Sequence, residues 1–436
     1  MILNICTNPA LISVVLLCIL CLRKVNVLLA IIISTITAGL LAGMNIKSVM
    51  DIFISGMGGN SETALSYILL GAFAATMAHS GFTDFVSSKI ISVVSDNKYI
   101  LILILLIISM ASQNIIPIHI AFIPILIPPL LGIMNKINLD RRTVACVLAF
   151  GLKTPYIAIP VGFGLIFQNL IADNMVQNGI TILRTDIWKY TFILALGMFV
   201  ALLFAIFVSY RKPRTYRMSD AVVNKADTSN FKKEYLLVIV AAIATFVVQL
   251  ITQSLPLGAL VGLGIMFSFG VISQDKMDHM MNEGIYLMGY VAFVMLVAAG
   301  FASVLKQTGS IETLVSSIIP ILPSNIILTS LALLILGLFI TIGIGTSFGT
   351  IPIIAVLFVP VCLKLGFNAP QVVVLLAAAA ALGDAGSPAS DTTLGPTSGL
   401  NVDGQHNHIF DTCIPTFLHF NTALILFALI GIWLLK

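Results

Sequence analysis

YILILILLIISMASQNIIPIHIAFIPILIPPLLGIM, residues Tyr99 to Met134, decides how this chain is built. It is apolar throughout except at its centre, where Ser112-Gln113-Asn114 and Pro117 interrupt it. A helix crossing a hydrocarbon core about 30 Å thick needs about 20 residues. The whole stretch is too long for one crossing, and each arm, at about 15 residues, is too short for its own. A re-entrant hairpin that enters and leaves on one side reconciles these lengths. Its polar tip would lie near mid-membrane, where broken backbone is tolerated if protein or water satisfies it.

The rest of the chain has the same character. Of its 436 residues 59% are hydrophobic and only 9% charged, with a mean hydropathy of +1.09, too little polar surface to cover a water-soluble fold. Apolar runs such as Val25 to Met44 and Tyr190 to Val208 continue without the alternation of a membrane β-barrel. The fold class is therefore an all-α polytopic membrane protein. Its first residues, MILNICTNPALISVVLLCILCLRK, lack the basic start and cleavage site of a signal peptide and read as a retained first helix. Cys18 and Cys21 have CxxC spacing but no histidine or polar neighbours, so they read as small apolar packing residues.

The one long hydrophilic interruption, Tyr210 to Lys233, carries seven basic residues against two acidic ones. The positive-inside rule makes it a cytoplasmic linker; nothing in it calls for a nucleic-acid partner. It separates halves that resemble each other. FAATMAHSG (Phe73 to Gly81) matches FASVLKQTG (Phe301 to Gly309) at an offset of 228, and Ile123-Pro124-Ile125 matches Ile351-Pro352-Ile353 at the same offset. A looser pairing sets Lys153-Thr154-Pro155 against Gly386-Ser387-Pro388 at 233. Ser324 to Gly366, interrupted at Gly343 to Gly349, repeats the hairpin. Overlong broken segments follow each hairpin: Thr143 to Ala172 around Lys153-Thr154-Pro155, and Gln371 to Asp403 around Asp384 to Pro388.

Each half, 1–209 and 234–436, then holds five spanning segments plus a hairpin, and an odd number of crossings inverts the second half relative to the first. This topology places Arg23, Lys24, Lys89, Lys98, Lys136, Arg141 and Arg142 inside and only Lys47, Arg184 and Lys189 outside, in accord with the charge rule. Inverted repeats are the usual build of secondary transporters.

Broken helices expose N–H groups at a positive end and carbonyls at a negative one, suited to carboxylates and cations respectively. The candidate oxygen and amide ligands are Gln113 and Asn114 at one hairpin tip and Thr346 and Ser347 at the other. Thr154, Ser387, Ser390, Thr392 and Thr393 join them at the breaks. Asp384 and Asp391 add carboxylates, and Lys153 either pairs with one of them or holds a substrate carboxylate; a static ion pair fixing helix packing is the alternative. His119, after the first tip, is a candidate proton relay beside Asp384 and Asp391. His79 reads as interfacial, and His406 and His408 as a solvated cytoplasmic turn or gate without zinc-site spacing. Na⁺ or H⁺ would be the coupling ion, with no resident cofactor.

Enzyme signatures do not hold. Gly345-Thr-Ser-Phe-Gly349 fits GxSxG but lacks a strand-to-helix elbow and triad partners, and Ala381-Leu-Gly-Asp384 only approximates GxGD without a partnering aspartate motif. A gated channel remains the rival of another class, since broken helices also line pores.

GDAGSPASDTTLGPTSGLNVDGQHNHIFDT, Gly383 to Thr412, resembles the C-terminal signature of the NhaC-type Na⁺/H⁺ antiporter family, above all its YuiF-like branch, associated with histidine or other amino acids. The wider ion transporter superfamily implies two hairpins, two broken helices and a transport domain moving, elevator-like, against a dimeric scaffold. The resemblance thus implies a homodimer in a bacterial inner membrane that carries an amino acid such as histidine, or exchanges Na⁺ for H⁺. The superfamily's Ser-Asn-Thr tip motifs are only approximated by Ser112-Gln113-Asn114 and Gly345-Thr346-Ser347, so exact Na⁺ ligation does not carry over.

Overall fold

In an apolar segment only helix satisfies every backbone group within the segment itself. The computed structural model describes residues 7–23, 25–82, 85, 86, 89, 97–114, 119–217, 231–252, 254–318, 325–344, 346–388 and 390–436, and among these there are helices and loops but no strand. The first half contributes α1 (Pro9–Leu22), α2 (Val27–Leu41), α3 (Ile46–Met57), α4 (Ser61–His79), α5 (Lys98–Asn114), α6 (His119–Lys136), α7 (Arg141–Ala158), α8 (Phe163–Gln177) and α9 (Ile187–Phe204). The second contributes α10 (Lys233–Thr252), α11 (Leu255–Ser268), α12 (Met277–Gln307), α13 (Ser310–Ile318), α14 (Ile326–Ile344), α15 (Ser347–Lys364), α16 (Ala369–Ala381), α17 (Asp391–Leu400) and α18 (His408–Leu434, with π-helical turns).

Among the described residues five helices are long and apolar enough to cross a membrane, and a sixth span results if α7 and α8, bent by 48° across their break, count as one. Several shorter apolar helices of 10–17 residues accompany them. Capping is written into the sequence: Asn368 and Gln371 form a capping box at α16, Asp140 accepts from the Arg142 amide at α7, and Ser390 accepts from the Thr392 amide at α17.

The helices pack as two groups that draw on both halves of the chain. α1–α4 pack with α10–α12, and α5–α9 pack with α14–α18; α12 and α13 against α15, and α1 against α14, join the groups. Glycine sets the closest approach in the first group. A Cβ on Gly71 would lie 2.6 Å from the Gly284 carbonyl oxygen, so a side chain there would push α4 off α12.

One expectation needs correction. The first broken helix does not break at Lys153-Thr154-Pro155: α7 runs unbroken through all three and ends after Ala158. The physical stop is Ile159-Pro160 followed by Gly162. A residue before proline is driven out of the helical region, and Ile159 is extended at φ −107° and ψ 118°. Gly162 then turns at φ +59°, a conformation other residues rarely adopt. At the offset of 228, Pro160 falls opposite Pro388 and Tyr156 opposite Asp384, so the pairing at 233 gives way to the stricter one. In the second half, helix stops at Ala381 and resumes at Asp391. Gly386 sits at φ +104° there, with its α-carbon against Phe417; an added Cβ would lie 2.4 Å from the Phe417 Cβ.

Candidate functional site

The loop between α16 and α17 lies inside the second group, where Tyr156 of α7 meets Ser347, the first residue of α15. Asp384, 5% exposed, hangs from this loop and collects donors from three directions. From α7, the Lys153 ammonium lies 3.0 Å from its Oδ2 and the Tyr156 hydroxyl donates to the same oxygen at 3.1 Å. From the first residue of α15, the Ser347 hydroxyl donates at 2.6 Å. From its own loop, Ser390 donates to Oδ1. Tyr156 and Ser347 also meet each other at 2.9 Å. Lys153 and Tyr156 are three apart on one helix face, which is why α7 presents both to one carboxylate.

Lys153 is 0% exposed, yet its ammonium makes no well-angled hydrogen bond. The contact with Asp384 is thus charge against charge at 3.0 Å, with ammonium donors left over. A buried ammonium with spare donors is poised to meet an anion or to lose its partner to a competing cation. Around the carboxylate the loop turns its own oxygens inward. Thr392 donates to the Asp384 carbonyl at 3.2 Å and lies 2.9 Å from the Ser390 hydroxyl. Thr393 bonds to the Ser387 and Ser390 carbonyls at 2.5 and 2.9 Å. Asn421 of α18 pins the loop from below, donating to the Ala385 carbonyl at 3.0 Å and accepting from the Gly383 amide at 3.2 Å.

On the side of the pair toward α8 stands a cluster of rings. Tyr156 packs on Phe167 and Phe348 with centroids 5.0 and 5.2 Å away, and Tyr67 of α4 reaches Phe163 and Phe348 at 5.2 and 5.7 Å. Tyr67 belongs to the first helix group, so this cluster is where the two groups meet beside the ion pair.

The structure brings together Lys153, Ser347, Asp384, Ser390, Thr392 and Thr393. It does not bring in Thr154, which turns away and donates to the Met198 sulfur of α9 at 3.4 Å. Thr346 contributes its backbone as the residue before α15, where its carbonyl accepts from Thr350 at 2.8 Å. Ser387 enters through its carbonyl. Gln113 and Asn114 at the end of α5, His119 at the start of α6 and Asp391 at the start of α17 have side chains outside the described residues. Tyr156, one turn beyond Lys153, was missed by sequence reasoning. Ser347, the centre of the GxSxG look-alike, is bonded to an aspartate and a tyrosine.

A second charged cluster lies where Tyr210 to Arg217 of the linker folds over the α6–α7 and α17–α18 turns. Arg141, fully buried, forks onto Asp403 at 2.7 and 2.5 Å, donates to the Leu400 carbonyl at 2.8 Å and to Asn135 at 2.9 Å, and lies under the Tyr216 ring at 4.3 Å. Arg214 pairs with Asp411 at 2.7 Å, and Gln405 exchanges hydrogen bonds with the Arg217 backbone. His406 is not a solvated residue, as expected from sequence, but 2% exposed and bonded to Thr412 at 2.7 Å. Burial lowers its pKa to about 4, so it is neutral near pH 7. His408 ties this cluster to the site, reaching Thr397 at 2.8 Å and the Pro388 carbonyl at 3.0 Å.

Comparison with known proteins follows the same lines. The Na⁺/H⁺ antiporter family matches residues 147–432, and a second Na⁺-H⁺ antiporter family matches residues 8–94. An uncharacterized membrane protein of Vibrio parahaemolyticus is 46% identical over 97% of this chain and 99% of its own. The protein named "Putative amino acid transporter YuiF" of Bacillus subtilis is 44% identical over 97% of this chain and 99% of its own. The crystal structure of the Alcanivorax borkumensis YdaH transporter superposes with a TM-score of 0.60 at 11% identity, covering 89% of this chain and 88% of that one. Neisseria gonorrhoeae MtrF does so with a TM-score of 0.59 at 13% identity, covering 90% and 85%. These two likenesses concern the fold alone. Matched over most of its length by the family and over nearly all of it by YuiF, this multi-pass membrane protein belongs to the Na⁺/H⁺ antiporter family of transporters.

Proposed function

We propose that the protein is an ion-coupled secondary active transporter of the bacterial inner membrane that moves an amino acid, with histidine the first candidate, together with Na⁺ or H⁺. It is not an enzyme in this reading, and it needs no resident cofactor. The observation that carries it is the Lys153–Asp384 pair, buried at an interrupted helix and ringed by the hydroxyls of Tyr156, Ser347 and Ser390. Asp384 offers the oxygens a hard cation prefers, beside two further hydroxyls and the loop carbonyls. With no ion present, the Lys153 ammonium takes the cation's place. When Na⁺ or a proton neutralises Asp384, Lys153 loses its partner and its spare donors are free for a substrate carboxylate. Ion binding and substrate binding are then coupled through one side chain.

Alternating access in this reading is elevator-like: the α5–α9 and α14–α18 group moves against α1–α4 and α10–α12, which would form the homodimeric scaffold. The exact repeat offset of 228, with Pro160 opposite Pro388, supports the inverted halves this motion needs. Linker 210–233 is cytoplasmic here, which puts the Arg141–Asp403 cluster on the inner face.

The family match itself favours a second reading, Na⁺/H⁺ exchange with Asp384 alternating between proton and Na⁺. Uptake of radiolabelled histidine and radiolabelled Na⁺ in the same proteoliposomes separates the two. Accumulation of histidine against its gradient, lost in Asp384→Asn, is the expected result. Na⁺ flux without histidine flux would leave the exchanger, and equilibration without accumulation would indicate a channel.

A further inference from the structure

At the end of the broken span remote from the linker, a solvent-open cleft with about 40 Å³ of interior space lies between the two helix groups. Gly59, Asn60, Ser303 and Lys306 line it from the first group, and Asn174, Gln177 and Asn178 from α8 and its end.

The polar groups in this cleft are sorted by the bonds they already make. The amide nitrogens of Asn60, Asn174 and Asn178 donate to the carbonyls of Met295, Leu170 and Asn174 at 3.0, 2.9 and 2.6 Å. A carbonyl can only accept, so these bonds fix each amide's orientation and leave its oxygen without a protein donor. Asn60 and Asn174 are 5% and 4% exposed as whole residues. Lys306 spends one donor on the Gln177 carbonyl at 3.0 Å and has others to offer. The cleft is therefore lined by three amide oxygens with no protein donor and by one ammonium with donors to spare.

We infer that this cleft is an outer vestibule site for a zwitterionic α-amino acid, its carboxylate held by Lys306 and its ammonium by the amide oxygens of Asn60, Asn174 and Asn178. The inference rests on the amino-acid reading above and adds where the substrate is first captured. A neighbouring cleft shares Gly59 and Asn60 and carries Glu62, while its Asp173 is paired with Arg184 at 2.8 Å. Because its walls come from both helix groups, a ligand seated there sits on the surface across which the groups would move. Phe163 and Phe348 of the ring cluster lie on α8 and α15, which also line this cleft.

Proteoliposome transport and calorimetric binding on the full chain test the inference with L-histidine, histamine (no carboxylate) and imidazolepropionate (no ammonium) as probes. Lys306→Gln is expected to raise the KM for L-histidine about tenfold, the loss of one charge-assisted contact, with kcat near wild type. Lys306→Arg should restore most of the affinity. Asn178→Ala should weaken L-histidine while leaving imidazolepropionate unaffected, and Lys306→Gln should not alter the already weak binding of histamine. L-histidine binding that survives in Asp384→Asn but falls in Lys306→Gln would locate capture here. Wild-type KM in Lys306→Gln, with L-histidine transported normally, would overturn the vestibule and leave the proposed function standing. Failure of wild type to bind or carry any of the common amino acids would overturn both.

Discussion

Two buried ion pairs in this molecule look alike in burial and charge and differ in chemistry. Arg141–Asp403 is a bidentate fork whose guanidinium is also bonded to the Leu400 carbonyl and Asn135 and covered by the Tyr216 ring. Nearly every donor is spent, and an arginine does not give up its charge. Lys153–Asp384 is a single ammonium beside one carboxylate oxygen, with donors to spare and three hydroxyls competing for the carboxylate. A lysine is a compact charge that can lose its partner, or its proton, when buried. In the proposed transport cycle the first pair stays closed and the second is exchanged.

That contrast can be broken experimentally. The largest expected effect is on transport: Asp384→Asn should lower uptake more than about 100-fold, because it removes both the cation's carboxylate and the partner of Lys153. The double variant Lys153→Met with Asp384→Asn should recover thermal stability without recovering uptake, since removing both members of a buried pair is often close to neutral. Recovery of uptake would make the pair a packing device.

Asp403→Asn should instead cost about 3–5 kcal/mol of stability, read as a lowered melting temperature, by leaving Arg141 buried without its partner. Uptake by the protein that remains folded should keep its KM within about twofold. A changed KM would place Arg141–Asp403 in the transport cycle. Tyr156→Phe and Ser347→Ala each remove one hydrogen bond to an ionised carboxylate, worth about 1.5–3 kcal/mol. Each should shift the Na⁺ dependence of uptake by about tenfold or more, while Thr154→Val, turned away toward Met198, should leave it unchanged.

The smallest expected effect concerns pH. His406 in the folded state holds its pKa near 4 against an ordinary 6.5. The unfolded chain therefore takes up a proton first, and stability is lost as pH falls below 6.5 toward 4. Lowering the pH from above neutrality to 5.5 should cost about 1.4 kcal/mol in wild type, one pH unit's worth below the unfolded pKa. His406→Gln should remove that part of the slope in thermal melts. An unaltered slope would mean that His406 is solvated after all.

The residues of the site were easier to find than its geometry. Asp384, Ser390, Thr392 and Thr393 stand out because a polar run in so apolar a chain is expensive, and Lys153 stands out for the same reason. Tyr156 did not, because an aromatic residue in an apolar helix attracts no attention until a carboxylate appears beside it. Arg141 counted only as a topogenic charge, since nothing local marks it as the partner of Asp403. The first break was placed at Pro155, where a proline follows two polar residues. Helix continued there because a single proline can be accommodated, whereas Ile159-Pro160 with Gly162 combines a pre-proline restriction and a left-handed turn.

By itself the sequence determined the class: hydropathy and run length leave only a multi-pass helical protein, and the polar segment from Gly383 to Thr412 carries the resemblance to the family that the comparisons match. Only the tertiary structure decided which charges meet. Lys153 and Asp384 are brought to 3.0 Å by the packing of α7 against α17, the helix that follows the interruption after α16, and Arg141 finds Asp403 because the α6–α7 and α17–α18 turns share one end of the bundle. Hydropathy is a sum over neighbours along the chain, whereas ion pairing in a membrane depends on contacts between segments hundreds of residues apart, which no local pattern records.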